Sequence, residues 1–191
     1  MDKLEKYFHQ LSPLKSTTWD KVKPLFTKAH LRKGEHFIEQ GQLATKIGFL
    51  ESGIMRAFYR NDEGTEYNKH FFIENSFVGG YASLITGQPN VIIQQALTDC
   101  HLWVADFKQL STLYDTCPDL ERVARRLAEL YFVDKENREI EIILLDADKR
   151  YALFQKRFPH LEQLIAQYHI ASYLGITPTQ LSRIRKKLAQ H

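Results

Sequence analysis

Long apolar runs are missing from this sequence of 191 residues. No stretch approaches the ~18 consecutive apolar residues that a membrane-spanning helix requires. The first ten residues are polar and amphipathic, and they lack the apolar core of a signal peptide. The sequence therefore predicts a cytoplasmic protein without a membrane partner. Its length suits one or two domains with a substantial core.

Cysteine is also scarce, since the chain contains only Cys100 and Cys117. Two cysteines so far apart form no metal-like cluster and need not pair, which suits a reducing compartment. The eight histidines include no His-x-His pair of the kind that a cupin-like metal enzyme would use. We therefore expect neither a bound metal nor an enzymatic activity.

An excess of one charge is absent from most of the chain. Acidic and basic residues balance over residues 1–160, so the net charge of +3 lies in residues 161–191. This last segment holds four Lys or Arg residues and one acid, Glu162. A local basic surface is expected where a protein contacts nucleic-acid phosphates.

The same basic segment has the pattern of two short helices joined by a tight corner. Ile170, Ala171 and Leu174 give the first helix an apolar face, and Gly175 provides a residue that tolerates positive φ. Thr177 is a favourable N-cap for the second helix, with Pro178 and Gln180 at the first and third helical positions. The pattern resembles a helix-turn-helix DNA-binding motif, although a helical hairpin that only packs a core is the simpler alternative.

Upstream of this motif, turn residues recur about every ten residues between Ala29 and Ala105, which predicts an antiparallel barrel or sandwich. Residues 47–50 and 55–60 are predicted strands joined at Ser52-Gly53, and residues 91–97 and 101–104 are the predicted closing pair. Helices are predicted over residues 2–11, 16–27, 107–114 and 149–158.

A long helix is predicted to start at Pro118 and to run towards Ala147, with six polar residues at 134–139 interrupting its apolar stripe. The stripe has a spacing close to that of a coiled coil, so it either packs inward or meets a second copy of the chain. We favour a dimer helix, because one helix-turn-helix would cover only half an operator. The predicted dimer residues are Leu120, Val123, Ala124, Leu127, Leu130 and Tyr131.

The order of a barrel, a long helix and a terminal helix-turn-helix resembles the Crp/Fnr family of bacterial transcription regulators. Barrel motifs in the family's order and rough spacing lie at residues 33–35, 39–41, 49–53, 60–64 and 77–80. The resemblance implies an α+β fold, with an N-terminal double-stranded β-helix (jelly roll) of the cyclic-nucleotide-binding type joined by a dimerisation helix to a small all-α domain. The predicted segments are a sensor at 1–117, a long helix at 118–147 and a DNA-binding domain at 148–191.

The resemblance also places an effector pocket in the barrel, where this sequence departs from nucleotide-binding members. The predicted pocket residues are Phe77, Val78, Gly79, Gly80, Tyr81, Ala82, Ser83, Asn90 and Val91. Gly80 stands where the family has a glutamate, and no Lys or Arg occurs from residue 70 to residue 107 to pair with a cyclic phosphate. We expect an effector other than ordinary cyclic AMP, or an unliganded barrel, and no certain cofactor. The cysteines needed for the Fe–S cluster of oxygen-sensing relatives are also absent.

The predicted function is a homodimeric, sequence-specific regulator that binds double-stranded DNA, with an unidentified small-molecule effector and RNA polymerase as a further candidate partner. Arg183, Thr179, Gln180 and Ser182 are predicted to reach base edges. Thr177, Arg185, Lys186 and Lys187 are predicted to contact phosphates. The chain ends soon after the second helix, so we expect no DNA-binding wing. The alternative is a cyclic-nucleotide or other ligand-binding module without strong DNA binding.

Overall fold

The computed structural model describes residues 1–188, within which the chain forms eight strands and nine α-helices. The strands are β1 (Thr27–Leu31), β2 (His36–Ile38), β3 (Lys46–Ser52), β4 (Met55–Arg60), β5 (Glu66–Phe72), β6 (Ser76–Val78), β7 (Ile93–Ala96) and β8 (Cys100–Asp106). The helices are α1 (Asp2–Leu11), α2 (Ser16–Val22), α3 (Tyr81–Thr86), α4 (Phe107–Thr112), α5 (Pro118–Leu144), α6 (Ala147–Arg157), α7 (Leu161–Leu164), α8 (Gln167–Leu174) and α9 (Pro178–Leu188).

The strands form two four-stranded sheets in the orders β1-β8-β3-β6 and β2-β7-β4-β5. The pairs of β8 with β1 and β3, and of β7 with β2 and β4, are antiparallel. Strands that follow each other in sequence therefore often lie in different sheets, as in a jelly roll. The predicted fold class, a jelly roll joined by a long helix to a helical domain, is confirmed.

Two expected strand pairings are wrong, because the turns between those strands change sheets. β3 and β4 are joined at Ser52-Gly53, but β3 belongs to the first sheet and β4 to the second, and the same holds for β8 and β7. Gly53 has a φ of +103°, and a Cβ there would lie 2.6 Å from the backbone oxygen of Asp99. This close approach of two backbones is the local reason for a sheet-to-sheet corner that only glycine fits.

The first sheet is covered on one face by helices. Leu4, Phe8 and Leu11 of α1 are buried in a cluster that includes Phe49 and Phe77 of the sheet. The rings of Phe8 and Phe77 stack at 5.8 Å. A separate cluster, which includes Leu50, Met55, Phe72, Val78 and Leu102, contains side chains of both sheets. Burial on both faces explains why β3 has four consecutive buried residues, Ile47 to Leu50, rather than an alternating pattern.

One helix boundary differs from the sequence prediction. The helix predicted over residues 16–27 ends at Val22, and a 3-10 turn over Lys23–Leu25 leads into β1. The long helix α5 is continuous from Pro118 to Leu144, as predicted, and includes the six polar residues at 134–139. Charged residues there favour helix, and Lys135 and Glu139 pair at 3.6 Å one turn apart.

By packing, the chain divides into two compact units. Unit 1 comprises residues 1–58 and 71–131, and unit 2 comprises residues 59–70 together with the chain from Phe132 onward. The division falls within α5, and unit 2 includes the turn between β4 and β5 with most of β5. The three segments predicted from the sequence remain a prediction, since packing and function need not divide a chain at the same residues.

Candidate DNA-binding corner and sensor segment

The corner between α8 and α9 has the local structure that its sequence predicts. Gly175 ends α8 with a φ of +67°, and the Ile176 amide donates to the Ala171 carbonyl at 3.0 Å. Thr177 and Gln180 then form a capping box. The Gln180 amide donates to Thr177 Oγ1 at 3.2 Å, and the Thr177 amide donates to Gln180 Oε1 at 2.9 Å. Together these contacts fix the residue at which α9 starts and the direction of its axis.

The apolar residues of the corner are directed into unit 2. Ile170, Ala171, Leu174 and Leu181 are at most 1% exposed, and Ile184 is also buried. The opposite surface of α9 and its cap is polar. All eight predicted DNA-binding residues are exposed there: Thr177, Thr179, Gln180, Ser182, Arg183, Arg185, Lys186 and Lys187. The fold thus gathers these side chains on one surface that solvent or a ligand can reach.

Three of these side chains have protein partners that bear on their predicted roles. Lys187 Nζ lies 2.6 Å from Asp148 Oδ2, an ion pair that a DNA phosphate would have to replace. The Gln180 side-chain oxygen is engaged by Thr177, so its amide group is the part left for a base edge. Arg185 lies near the Tyr151 hydroxyl, where its charge partly offsets the burial and the nearby Glu162 that raise the Tyr151 pKa to about 12.

A shallow cavity of about 460 Å³ lies beside this surface. It is lined by Gln167, Pro178, Leu181, Ser182, Arg185 and Lys186. The start of α8 and the exposed side of α9 therefore line the same concave, partly basic surface. Such a surface can receive a phosphate or a base edge.

Strand β5, which the sequence did not associate with the corner, packs against α8. Ser172 Oγ accepts a hydrogen bond from the Asn68 amide at 2.9 Å and donates to the Glu66 carbonyl at 2.9 Å. The Asn68 side chain, 6% exposed, donates to the His169 carbonyl at 2.9 Å. About a hundred residues separate these partners, so no local pattern reveals the contact. In the sequence, only the polar residues His169 and Ser172 within the otherwise mostly apolar helix α8 could have indicated this contact.

The predicted effector-pocket residues differ in their exposure. Phe77, Val78, Ser83 and Asn90 are buried, whereas Tyr81, Ala82 and Val91 are exposed. Gln94 makes two hydrogen bonds of 2.8 Å with the backbone of Gly79. The buried side chains of Ser83 and Asn90 also hydrogen-bond to neighbouring backbone, and the effector pocket remains a prediction.

Gly80 and Asn90 lie where this segment departs from nucleotide-binding members. A Cβ at Gly80 would lie 2.9 Å from Asn90 Oδ1 and 3.0 Å from Ile38 Cδ1, so a side chain there would displace its neighbours. Asn90 Nδ2 in turn donates to the carbonyls of Glu39 and Ile92. With no Lys or Arg from residue 70 to residue 107, a buried phosphate would lack a cation from this segment. We assign no step of the mechanism to a cyclic nucleotide.

The predicted dimer residues of α5 lie on different faces. Leu120 and Val123 are 1% exposed within the core of unit 1, and Leu127 and Tyr131 pack partly buried against it. The Tyr131 hydroxyl bonds both the amide and the carbonyl of Phe77 at 3.0 Å. Ala124 is half-buried, and Leu130 is 56% exposed. Most of this stripe therefore serves unit 1 itself.

A second stripe on α5 is exposed. It consists of Leu130, Val133, Asn137, Ile140 and Leu144, spaced alternately by three and four residues. Ile143 beside it is 78% exposed. Of this stripe the sequence prediction named only Leu130, because Asn137 and its charged neighbours interrupt the apolar pattern. A single asparagine in an apolar seam is a known feature of paired helices.

The fold and the corner define a class of protein: a jelly-roll sensor of the cyclic-nucleotide-binding type with a helix-turn-helix downstream. Residues 28–117 match the family model described as the cyclic nucleotide-binding domain. The transcriptional activator protein Anr of Pseudomonas aeruginosa is 24% identical over 172 residues, which cover 84% of this chain and 70% of that protein. FnrA of Stutzerimonas stutzeri, also described as a transcriptional activator, is 24% identical over 177 residues with the same coverage.

Solved structures share the fold. FixK2 from Bradyrhizobium japonicum has a TM-score of 0.76 at 17% identity, covering 86% of this chain and 85% of that one. A transcriptional regulator of the Crp/Fnr family from Eubacterium rectale has a TM-score of 0.72 at 18% identity, covering 92% and 84%. The resemblance to Crp/Fnr transcription regulators found in the sequence is confirmed, since the chain is similar to such regulators in its sequence and in its fold.

Two further observations concern residues 1–188. None of the helices there is both long and apolar enough to cross a membrane. No group of three or more His, Cys, Asp or Glu side chains in that range could hold a metal ion. The relatives found are transcription regulators rather than enzymes.

Proposed function

We propose that this protein is a homodimeric regulator of transcription that binds double-stranded DNA through α9. The observation that carries the proposal is the capped corner, which directs eight polar or basic side chains outward from a buried apolar base. The relatives' description as transcriptional activators supports a regulatory role and makes RNA polymerase a candidate partner. Binding to DNA would take place in the cytoplasm, and we assign no catalytic activity.

Within α9, Arg183 is the proposed base-reading residue. It is exposed in the second turn of α9, and arginine paired with guanine is the commonest specific contact in the major groove. Thr179, Ser182 and the Gln180 amide group are placed to reach neighbouring base edges. Thr177, Arg185 and Lys186 would hold phosphates, and Lys187 would do so after leaving Asp148.

The exposed stripe of α5 is the proposed dimer seam, defined as Leu130, Val133, Asn137, Ile140 and Leu144. Pairing two copies along this seam would bury apolar side chains that are otherwise more than half exposed. A two-fold dimer would present two α9 helices to successive major grooves about 34 Å apart. We expect Ile140→Asp to shift the protein to monomers in sedimentation velocity. Glu139→Asp, one residue away, is the control, and a dimer that survives Ile140→Asp would contradict the seam.

The test of DNA binding is a gel shift with genomic fragments at several salt concentrations. We expect a sequence-preferring complex whose affinity falls steeply as salt rises. Arg183→Ala should cost about 1–3 kcal/mol on the preferred site and relax one base position. Lys108→Ala, an exposed lysine of α4, serves as the charge-matched control. Equal loss on every sequence would make Arg183 a phosphate contact instead.

Absence of any salt-dependent, sequence-preferring complex would refute the regulator function. The protein would then be better described as a ligand-binding module without strong DNA binding. For the sensor, we propose an effector other than ordinary cyclic AMP. The close contacts between Gly80 and Asn90 support this proposal. An increase in Tm on addition of cyclic AMP or cyclic GMP in a thermal-shift series would contradict it.

A further inference from the structure

The last turn of α8 is held by arginines from two other helices of unit 2. The final carbonyls of a helix have no partner within the helix itself. Here Arg138 of α5 donates to the Tyr173 carbonyl, and Arg150 of α6 donates to the Leu174 carbonyl at 3.0 Å. Arg150 also donates to the Leu145 carbonyl at 2.6 Å. Positive charge at a helix C-terminus is favourable, so these contacts anchor the end of α8.

Tyr173 is the residue on which the contacts converge. Its side chain is 2% exposed, and its ring lies under the Arg138 guanidinium at 3.9 Å from the ring centroid. Its hydroxyl accepts a hydrogen bond from Arg157 of α6 at 3.0 Å. Backbone, ring and hydroxyl of one residue are therefore each held by an arginine. Rotation or sliding of α8 relative to α5 would break all three contacts.

Glu141 ties the two arginines together from α5. It is 9% exposed, and its carboxylate oxygens lie 3.2 Å from Arg138 and 2.7 Å from Arg157. Arg157 also lies 3.8 Å from Asp134, one helical turn or so before Arg138 on α5. A buried charge network is weak evidence for stability, because desolvation offsets much of its attraction. Its fixed geometry, by contrast, is well suited to holding one helix at a set angle.

This network occupies a face of α5 adjacent to the proposed dimer seam. At 100° per residue, Arg138 and Glu141 lie about a quarter turn around the helix from Val133, Asn137 and Ile140. Only three residues separate Leu174 from the start of the recognition helix α9 at Pro178. One route from the dimer seam to the DNA-binding surface therefore runs through Arg138, Glu141, Arg157 and Tyr173.

We propose that Arg138, Glu141 and Arg157, the positioning cluster, set the angle between the dimer helix and α8 and thereby fix the spacing of the two half-sites that the dimer accepts. The cluster acts on DNA only through α8 and α9, so its members are positioning residues. The inference rests on the proposed function. It adds that the positioning cluster makes the dimer selective for one spacing between half-sites.

The test compares operator spacing in wild-type and Glu141→Gln proteins. The probe is the palindromic duplex that the wild-type protein selects from randomised DNA, remade with one or two base pairs added or removed between half-sites. Glutamine keeps the shape and removes the shared charge. We expect Glu141→Gln to lower the preference for the selected spacing by about fivefold or more, with the half-site sequence unchanged. Glu139→Gln, exposed on the same helix, is the matched control and should keep the wild-type profile.

A merely stabilising role predicts a different pattern, in which affinity falls by one factor at every spacing. Tyr173→Phe removes only the hydroxyl bound by Arg157 and provides a milder second variant if Glu141→Gln does not fold. Unchanged spacing profiles in the folded variants would overturn the inference while leaving the proposed function intact. A wild-type protein that binds no DNA would overturn both.

Discussion

Replacing Gly80 by alanine tests whether the sensor segment has room for a side chain at this position. Gly80 has φ −75° and ψ 67°, so alanine requires no left-handed backbone and the cost is steric. The new Cβ would lie 2.9 Å from Asn90 Oδ1, 3.0 Å from Ile38 Cδ1 and 3.1 Å from Ala44 Cβ. Overpacking of this kind costs about 1–3 kcal/mol. The lower entropy of the unfolded chain offsets about 0.4–1 kcal/mol of that, which leaves a net loss of about 1.3 kcal/mol when the midpoints of the two ranges are used.

Asn90 decides whether the segment can relax. Its side-chain amide donates to Ile92 at 2.6 Å and to Glu39 at 3.1 Å, and the residue is 5% exposed, so retreat from a new methyl group breaks hydrogen bonds. In an Asn90→Ala background the nearest obstacle is gone. Gly80→Ala should then cost less, by at least about 0.5 kcal/mol of coupling.

Urea unfolding followed by the fluorescence of Trp19 and Trp103 measures these free energies. All four proteins of the cycle must be compared at one concentration, because dimer formation would stabilise the fold by mass action. A Gly80→Ala protein as stable as the wild type would refute the reasoning. It would mean that the segment has room for a side chain, so the close contacts at Gly80 would not explain why glycine stands there.

Two further predictions concern unit 2. Thr177→Ala should lower the urea midpoint by an amount equivalent to about 1 kcal/mol at unchanged slope, because the Gln180 amide loses its acceptor, whereas Thr179→Ala beside it should have little effect. Burial lowers the pKa of His70 from 6.5 to about 4, against the opposing charge of nearby Asp134. The unfolded chain thus binds the proton first, so stability should fall as pH drops below about 6.5 and level off near 4, a loss of up to about 3 kcal/mol. His70→Gln should flatten that slope in urea titrations at pH 7, 6 and 5, and an unchanged slope would show that His70 is not its source.

The two parts of the molecule suggest how an input could reach DNA. A ligand can shift such a protein only by binding one of two conformations more tightly than the other. The contacts of Ser172 and Asn68 on one side of α8, and of Arg138 on its end, are the contacts that such a shift would have to change. A double-mutant cycle between Asn68 and Ser172 would measure how strongly the β5 segment is coupled to the corner.

Local chemistry in the sequence determined the corner. The cap at Thr177, the glycine at 175 and the apolar spacing of α8 and α9 act over a few residues, so their pattern was sufficient to predict a helix-turn-helix. The ten-residue spacing of turns likewise predicted a barrel. Strand pairing was not predictable in the same way, because Ser52-Gly53 as a sequence does not distinguish a hairpin from a corner between sheets.

The tertiary structure alone decided which stripe of α5 faces inward and what fills the sensor segment. Leu120 and Val123 were predicted to contact a partner helix, yet they are buried in the core of unit 1. The exposed stripe contains Asn137, which breaks the apolar periodicity in the sequence. Gly80 read as a missing carboxylate, and the structure adds that a Cβ there would lie within 3.0 Å of Asn90 and Ile38. Contacts between residues far apart in the chain determine such features. A sequence specifies them only through the completed packing.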